Sequence, residues 1–162
     1  MKSRAINLLA VLAVLLVIMA AADTANAQRR RESRGRGMTK AQVNAVINRV
    51  EDRVDNFVSN YDKSLDRSRL DGSSREDWLM KRARDLESAT DELARELQRR
   101  DAWAENNEEV RRCLNIASDI DRNMKNYRFG AATEANWSRV RYELNTLADI
   151  YNLAKVGSNV YN

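Results

Sequence analysis

The sequence predicts an all-α protein, an antiparallel four-helix bundle built from two similar helical hairpins. Three observations carry that expectation. The 162 residues leave room for one domain, and with no proline and only five glycines they lack the punctuation that many short strands need. Apolar residues recur at spacings of three and four through four successive runs, the period of a helix with one buried face. Finally, the stretch RLDGSSREDW at 69–78 is echoed by RFGAATEANW at 128–137, which argues for a duplicated unit.

The chain opens with Lys2 and Arg4 ahead of an apolar run from Ala5 to Ala22, followed by Ala25-Asn26-Ala27. A short basic start, an apolar stretch and a small-x-small end read as a secretory signal over residues 1–27, cleaved between Ala27 and Gln28. An uncleaved anchor is the alternative, because this 18-residue stretch, apolar but for Asn7, is just long enough to span a bilayer. The expected address is therefore exported, periplasmic or extracellular, or else anchored in a membrane through that segment.

Residues 28–38 carry Arg29, Arg30, Arg31, Arg34 and Arg36 against Glu32, a net of +4, whereas from Thr39 onward 21 basic side chains face 22 acidic ones. The basicity of the chain thus belongs to one segment, expected as a disordered linker because it has too few apolar residues to bury. Its arginines suit weak contact with an anionic surface, and otherwise make a solvated linker. Specific nucleic-acid binding is not expected, since no aromatics are interleaved to stack on bases.

The first helix is predicted from Thr39 on Val43, Val46, Ile47, Val50, Val54, Phe57, Val58, Tyr61 and Leu65, with Thr39 and Gln42 as a capping box. The second is the most polar, with Leu79, Arg82, Ala83, Leu86, Ala89, Leu93 and Leu97 behind the capping pair Ser73 and Glu76. Val110, Cys113, Leu114, Ala117, Ile120, Met124 and Tyr127 make a third, with Gly130 suited to its C-terminal end. The fourth starts near Thr133 and holds Trp137, Val140, Leu144, Leu147, Ala148 and Tyr151, so that the bundle domain covers 39–153 and residues 154–162 form a frayed tail. The join RRDAWAENN at 99–107 contains neither glycine nor proline, and sequence leaves open whether it is a loop or continuous helix.

An offset of 59 places Asp62, Leu70, Ser74, Trp78 and Arg82 over Asp121, Phe129, Thr133, Trp137 and Arg141. Each set reads as one hairpin closure. Ser74 or Thr133 caps the second helix, and the tryptophan four residues on leans back over Leu70 or Phe129 as a hydrophobic staple. Each arginine then reaches the aspartate on the preceding helix as an Asp-Arg clasp. A well-buried ring at Trp78 would make its replacement by alanine cost about 3 kcal/mol.

Chemistry is sparse. No histidine is present, which removes the usual acid-base side chain and the Glu-x-x-His motif of di-iron bundles. Neither a catalytic residue, a metal site nor a cofactor is expected. Cys113 lies on the third stripe and behaves there as a small apolar side chain, with an intermolecular disulfide as the alternative. Asn136-Trp137-Ser138 matches a glycosylation sequon by chance, being inside a predicted helix.

The segment Met38-Thr39-Lys40-Ala41-Gln42 resembles the Leu-Thr-x-x-Gln motif of periplasmic helical chaperones and stress sensors of the Spy type, with methionine in place of leucine and one copy instead of two. That resemblance, confined to 38–42, implies a binder of unfolded protein. More broadly the chain resembles exported all-helical bacterial proteins in its signal, its Trp-x3-Arg hairpins and its Leu-Asn-x-Leu-Ala-x-x-Tyr finish at 144–151, which implies a fold and an address without an activity. The expected function is a non-enzymatic structural or interaction role, with a protein partner or a second copy of the chain as its object. A chaperone-like binder would instead require the Val43 to Leu65 stripe to lie open, and a tethered protein would act through the arginine-rich segment.

Overall fold

The computed structural model describes residues 37–158. Within them the chain forms α1 (Lys40–Leu65), α2 (Ser74–Arg99), α3 (Asn107–Asn126) and α4 (Ala131–Tyr151), with a single 3-10 turn at Trp103–Asn106. The signal segment with Ala27 and Gln28, and the arginines from Arg29 to Arg36, lie outside the described residues. Among the described residues no helix is long and apolar enough to cross a membrane.

Side chains decide where the first two helices begin. The Thr39 hydroxyl accepts from the Gln42 amide at 3.2 Å, while the Gln42 side chain accepts from the Thr39 amide at 2.9 Å, so two otherwise orphaned donors are satisfied at the start of α1. Ser73 caps α2 through the Glu76 amide at 3.2 Å. The Glu76 carboxylate does not close the box on Ser73 but accepts from the Gly72 amide at 2.6 Å. Gly72 has φ +72°, a left-handed conformation natural to glycine, and this turns the amide toward the helix.

Helix α1 packs on α2 and α4, and α3 packs on the same two, so every apolar stripe faces another. All nine predicted positions of the first stripe are buried, and those of α4 are buried as well. In α2 the stripe gains Met80 and Thr90, and Arg82 remains only half-buried at its edge. Thr90 is fully buried because its hydroxyl returns to the Leu86 and Glu87 carbonyls, at 3.2 and 2.8 Å. Covering the Val43 to Leu65 face removes nine apolar side chains from water.

Residues 99–107 are not continuous helix. Helix α2 stops at Arg99, Arg100 turns to extended backbone, and the 3-10 turn leads into α3. Arg100 holds the break with a two-pronged pair to Glu109, at 2.6 and 3.0 Å. Trp103 anchors it from the other side: its indole donates to the Met38 carbonyl at 3.0 Å, and its ring meets Tyr151 edge-on at 5.2 Å. The Tyr151 hydroxyl donates in turn to the Trp103 carbonyl at 2.8 Å. Met38, expected in the linker, packs half-buried against the core and belongs with the helices.

Two further expectations are corrected. Gly130 does not end the third helix, which stops at Asn126; with φ +90° it is the residue from which α4 departs. Nor are residues 154–158 frayed. Val156 is buried, its amide donates to Asn145 at 2.8 Å, and Lys155 pairs with Asp149 at 2.8 Å, so the segment folds back along α4. The fold-back is possible because Asn152, in left-handed backbone at φ 55°, ends the helix and reverses the chain.

Candidate functional site

The repeated positions are the sequence's best candidates for chemistry, and the two copies differ. In the α3–α4 copy Asp121 is buried, and its Oδ1 accepts from the Trp137 indole and from Arg141, both at 3.0 Å. Its Oδ2 pairs with Lys125 at 2.7 Å. Burial pushes this carboxyl up, but hydrogen bonds from Lys125, Trp137 and Arg141 outweigh it and hold the carboxyl below the ordinary aspartate range. The Trp137 ring is 3% exposed and packs on Phe57 at 5.0 Å, and Phe129 packs edge-on against Tyr61 at 4.9 Å.

The α1–α2 copy forms no such clasp. Asp62 is exposed and stands 3.9 Å from Arg84, whereas Arg82 faces α3, 4.0 Å from Asp119 and 3.7 Å from Asp85. The cause is position in the assembly. Helix α2 is flanked by α1 and α3, and Trp78 and Arg82 lie on its α3 side, while Arg84, two residues on and just over a half-turn round the helix, faces α1. Trp78 is accordingly 37% exposed. The expected cost of about 3 kcal/mol for its loss presumed a well-buried ring and does not apply.

Ser74 and Thr133 are not caps. Ser74 is the exposed first residue of α2, behind the true cap Ser73. Helix α4 begins at Ala131, two residues earlier than the alignment on tryptophan requires, so Thr133 is already inside the helix and buried, its hydroxyl 2.6 Å from that of Ser64. Leu70 is half-buried against the core.

Sequence reasoning missed Arg75, Lys125 and Gly157. Arg75 stacks its guanidinium on Trp78 at 4.8 Å and lies 5.8 Å from the Tyr127 ring centre, with one nitrogen donating to Asn123 at 2.7 Å. Its signal was its place three residues before an aromatic on the same helix face. Gly157, at φ +80°, brings backbone against the clasp: a β-carbon there would sit 2.9 Å from Asp121 Oδ2. We expect Gly157→Ala to lower stability by about 1 kcal/mol or more through both the backbone strain and this contact, read as a reduced denaturation midpoint.

Cys113 is fully buried, and that burial pushes its thiol up to about 12, so at neutral pH it is a packed, protonated group with no route to an intermolecular disulfide in the folded chain. Among the described residues no group of three or more His, Cys, Asp or Glu is arranged to hold a metal ion. An open groove of about 410 Å³ between α1 and α2 is lined by charged side chains of both signs, among them Asp62, Asp66, Lys81 and Arg84. A second of about 410 Å³ between α2 and α3 runs from Arg82 past Ile116 to Arg111 and Arg112.

Further along the α1–α2 face, Glu51, Asp55 and Glu87 all titrate above the ordinary carboxylate range, first through burial and then through neighbouring carboxylates, chiefly Asp91 and Asp55. A carboxyl whose folded value is raised favours folding when protonated, so stability rises as pH falls through the window just above the ordinary value. Below that window protonation of Asp121 and of Glu109, which the Arg100 hydrogen bond holds low, removes stability. We therefore expect a melting temperature that peaks in mild acid. Asp91→Asn should raise neutral-pH stability by about 0.5 kcal/mol and flatten that acid-side rise in a melting series across pH.

Comparison of the chain with protein-family models, curated proteins and solved structures finds no match.

Proposed function

We propose that this is an exported, non-enzymatic helical protein that acts through its surface in a structural or protein-interaction role, on an antiparallel four-helix bundle made of two similar hairpins. The direction of successive helices is supported by contacts between opposite ends: Lys40 at the start of α1 donates to the Arg100 carbonyl beyond the end of α2 at 2.7 Å, and Asp121 late in α3 meets Trp137 early in α4. Similarity of the hairpins rests on the 59-residue repeat, although only one copy closes its clasp.

The observation that carries the functional reading is the closure of the Val43 to Leu65 stripe. A Spy-type binder of unfolded clients needs an apolar face open to solvent, and here the large exposed apolar side chains among the described residues are Trp78 and Tyr142, single aromatics on α2 and α4. What such a surface offers a partner is charge and aromatic edges. The arginine-rich segment at 28–38 supports a second reading, attachment to an anionic envelope surface, which adds an address to the same role.

The test is affinity capture from the cell envelope with the purified chain, run beside an aggregation assay on a chemically unfolded client. A discrete retained partner with no suppression of aggregation is expected. Suppression at equimolar ratio would move the protein to the chaperone class. Intact mass of the cellular product should begin at Gln28, and a mass that includes residues 1–27 would overturn cleavage of the signal. Removing residues 28–36 should loosen envelope fractionation at low salt, and unchanged fractionation across salt concentrations would remove the tether.

A further inference from the structure

The segment that folds back after α4 is a small unit of its own. The Ser158 amide and hydroxyl both donate to the Lys155 carbonyl, at 3.1 and 2.6 Å, closing a turn about Val156 and Gly157. This turn seats in the seam between α3 and α4. Val156 is buried and its amide donates to Asn145, Lys155 pairs with Asp149, and Gly157 lies so close to Asp121 that a β-carbon would sit 2.9 Å from Oδ2. An apolar anchor, an acceptor, a carboxylate and a place fit only for glycine make a seat with the chemistry of this one segment.

The reversal that brings the segment there is the weak link. Asn152 is the one non-glycine residue with positive φ among the described residues, at 55°, where a β-carbon crowds the backbone. The turn that follows is held by the Leu153 amide on the Ala148 carbonyl at 2.8 Å, an acceptor it shares with the Asn152 amide. Moving Asn152 to ordinary backbone opens the reversal and sends the segment straight on from α4. At present Lys155 meets Asp149 and Val156 meets Asn145, so the segment runs antiparallel to its own α4. Sent straight on, it runs in the same sense along the α4 of a copy placed end to end with the first.

We infer that two copies of this chain exchange residues 153–158 reciprocally, each segment seating in the α3–α4 seam of the other. The seat contacts are then remade by the same side chains of the second copy, while both left-handed asparagines are relieved. A short hinge under strain tips the balance toward exchange as concentration rises. A segment of different sequence is a poorer occupant, because a side chain at the Gly157 place meets the Asp121–Lys125 pair. The exchange goes beyond the interaction role proposed above and does not depend on it.

The experiment is size-exclusion chromatography with light scattering on the purified chain over a range of concentrations, followed by chemical linking of the isolated dimer. A dimer fraction that grows with concentration is expected below about 1 mM. In the double variant Asp149→Cys, Lys155→Cys a short bis-maleimide joins the two positions within one chain in the closed monomer and between chains in the exchanged dimer, read as dimer-sized bands on a denaturing gel. Cys113 is buried and protonated and stays out of the reaction. Asn152→Ala, which makes left-handed backbone costlier, should raise the association constant about fivefold, and Asn152→Gly, which makes it easy, should lower it by a similar factor. Removal of residues 154–162 should abolish the dimer. A chain monomeric throughout that range, links confined to single chains in the isolated dimer, a truncated chain that still dimerises, or hinge variants without effect would each overturn the exchange. A chain that stays monomeric but retains the envelope partner keeps the interaction role and loses only the exchange.

Discussion

Trp137→Ala should lower stability by about 4 kcal/mol, and Trp78→Ala by about 1 kcal/mol, although the two residues occupy equivalent places in the repeat. The indole of Trp137 is 3% exposed, packs on Phe57 and donates to Asp121, so its removal leaves a cavity and strands part of a buried charge network. Trp78 contributes a surface stack with two arginines. Urea denaturation of both variants, with slopes unchanged from wild type, measures the difference directly. Equal losses would mean that the two closures are energetically alike and that the asymmetry between them is wrong.

Asp121→Ala is expected to cost about 3 kcal/mol, the scale for breaking a buried ion pair by removing one partner. Three donors lose their common acceptor, and of these the Trp137 indole is buried and has no water to turn to. Asp121→Asn keeps the shape and one acceptor oxygen and should recover part of the loss. The pH dependence separates charge from packing. Because the folded carboxyl titrates below its ordinary value, its contribution is complete above that value and is lost as pH falls through the folded one. In Asp121→Asn the acid limb of the stability profile should therefore be shallower than in wild type. A variant with an identical acid limb would show that the carboxylate charge does not matter to the clasp.

The site residues divide by how local their cause is. Thr39, Gln42 and Ser73 could be read from sequence because a cap is a contact between near neighbours. The Asp121 cluster was half legible: Asp121, Trp137 and Arg141 stood in the repeat, but Lys125 and Gly157 come to it only once α3 is folded and the chain has turned back along α4. Arg82 shows the limit most clearly. Its aspartate was sought on α1, where the repeat puts it, and the carboxylates it approaches, Asp85 and Asp119, lie on α2 and α3. Repeat logic treats each hairpin as closed on itself, whereas α2 must also cover α3.

The break between α2 and α3 shows the same division. Asp101, Asn106 and Asn107 permit a break, but Trp103 and Arg100 secure it, through Met38, Tyr151 and Glu109. Two of those three partners are distant in the chain, and no local pattern announces them.

Sequence by itself determined that this protein is all-helical, with four stripes and the caps of the first two helices, because periodicity and capping act over three or four residues and leave their mark in the order of residues. Only the tertiary structure decided which copy of the repeated tryptophan is core and which is surface, where the chain breaks at Arg100, and which carboxylate each arginine approaches. Those outcomes depend on which helix lies against which, and a local pattern that is nearly the same in both copies cannot encode the difference in what surrounds them.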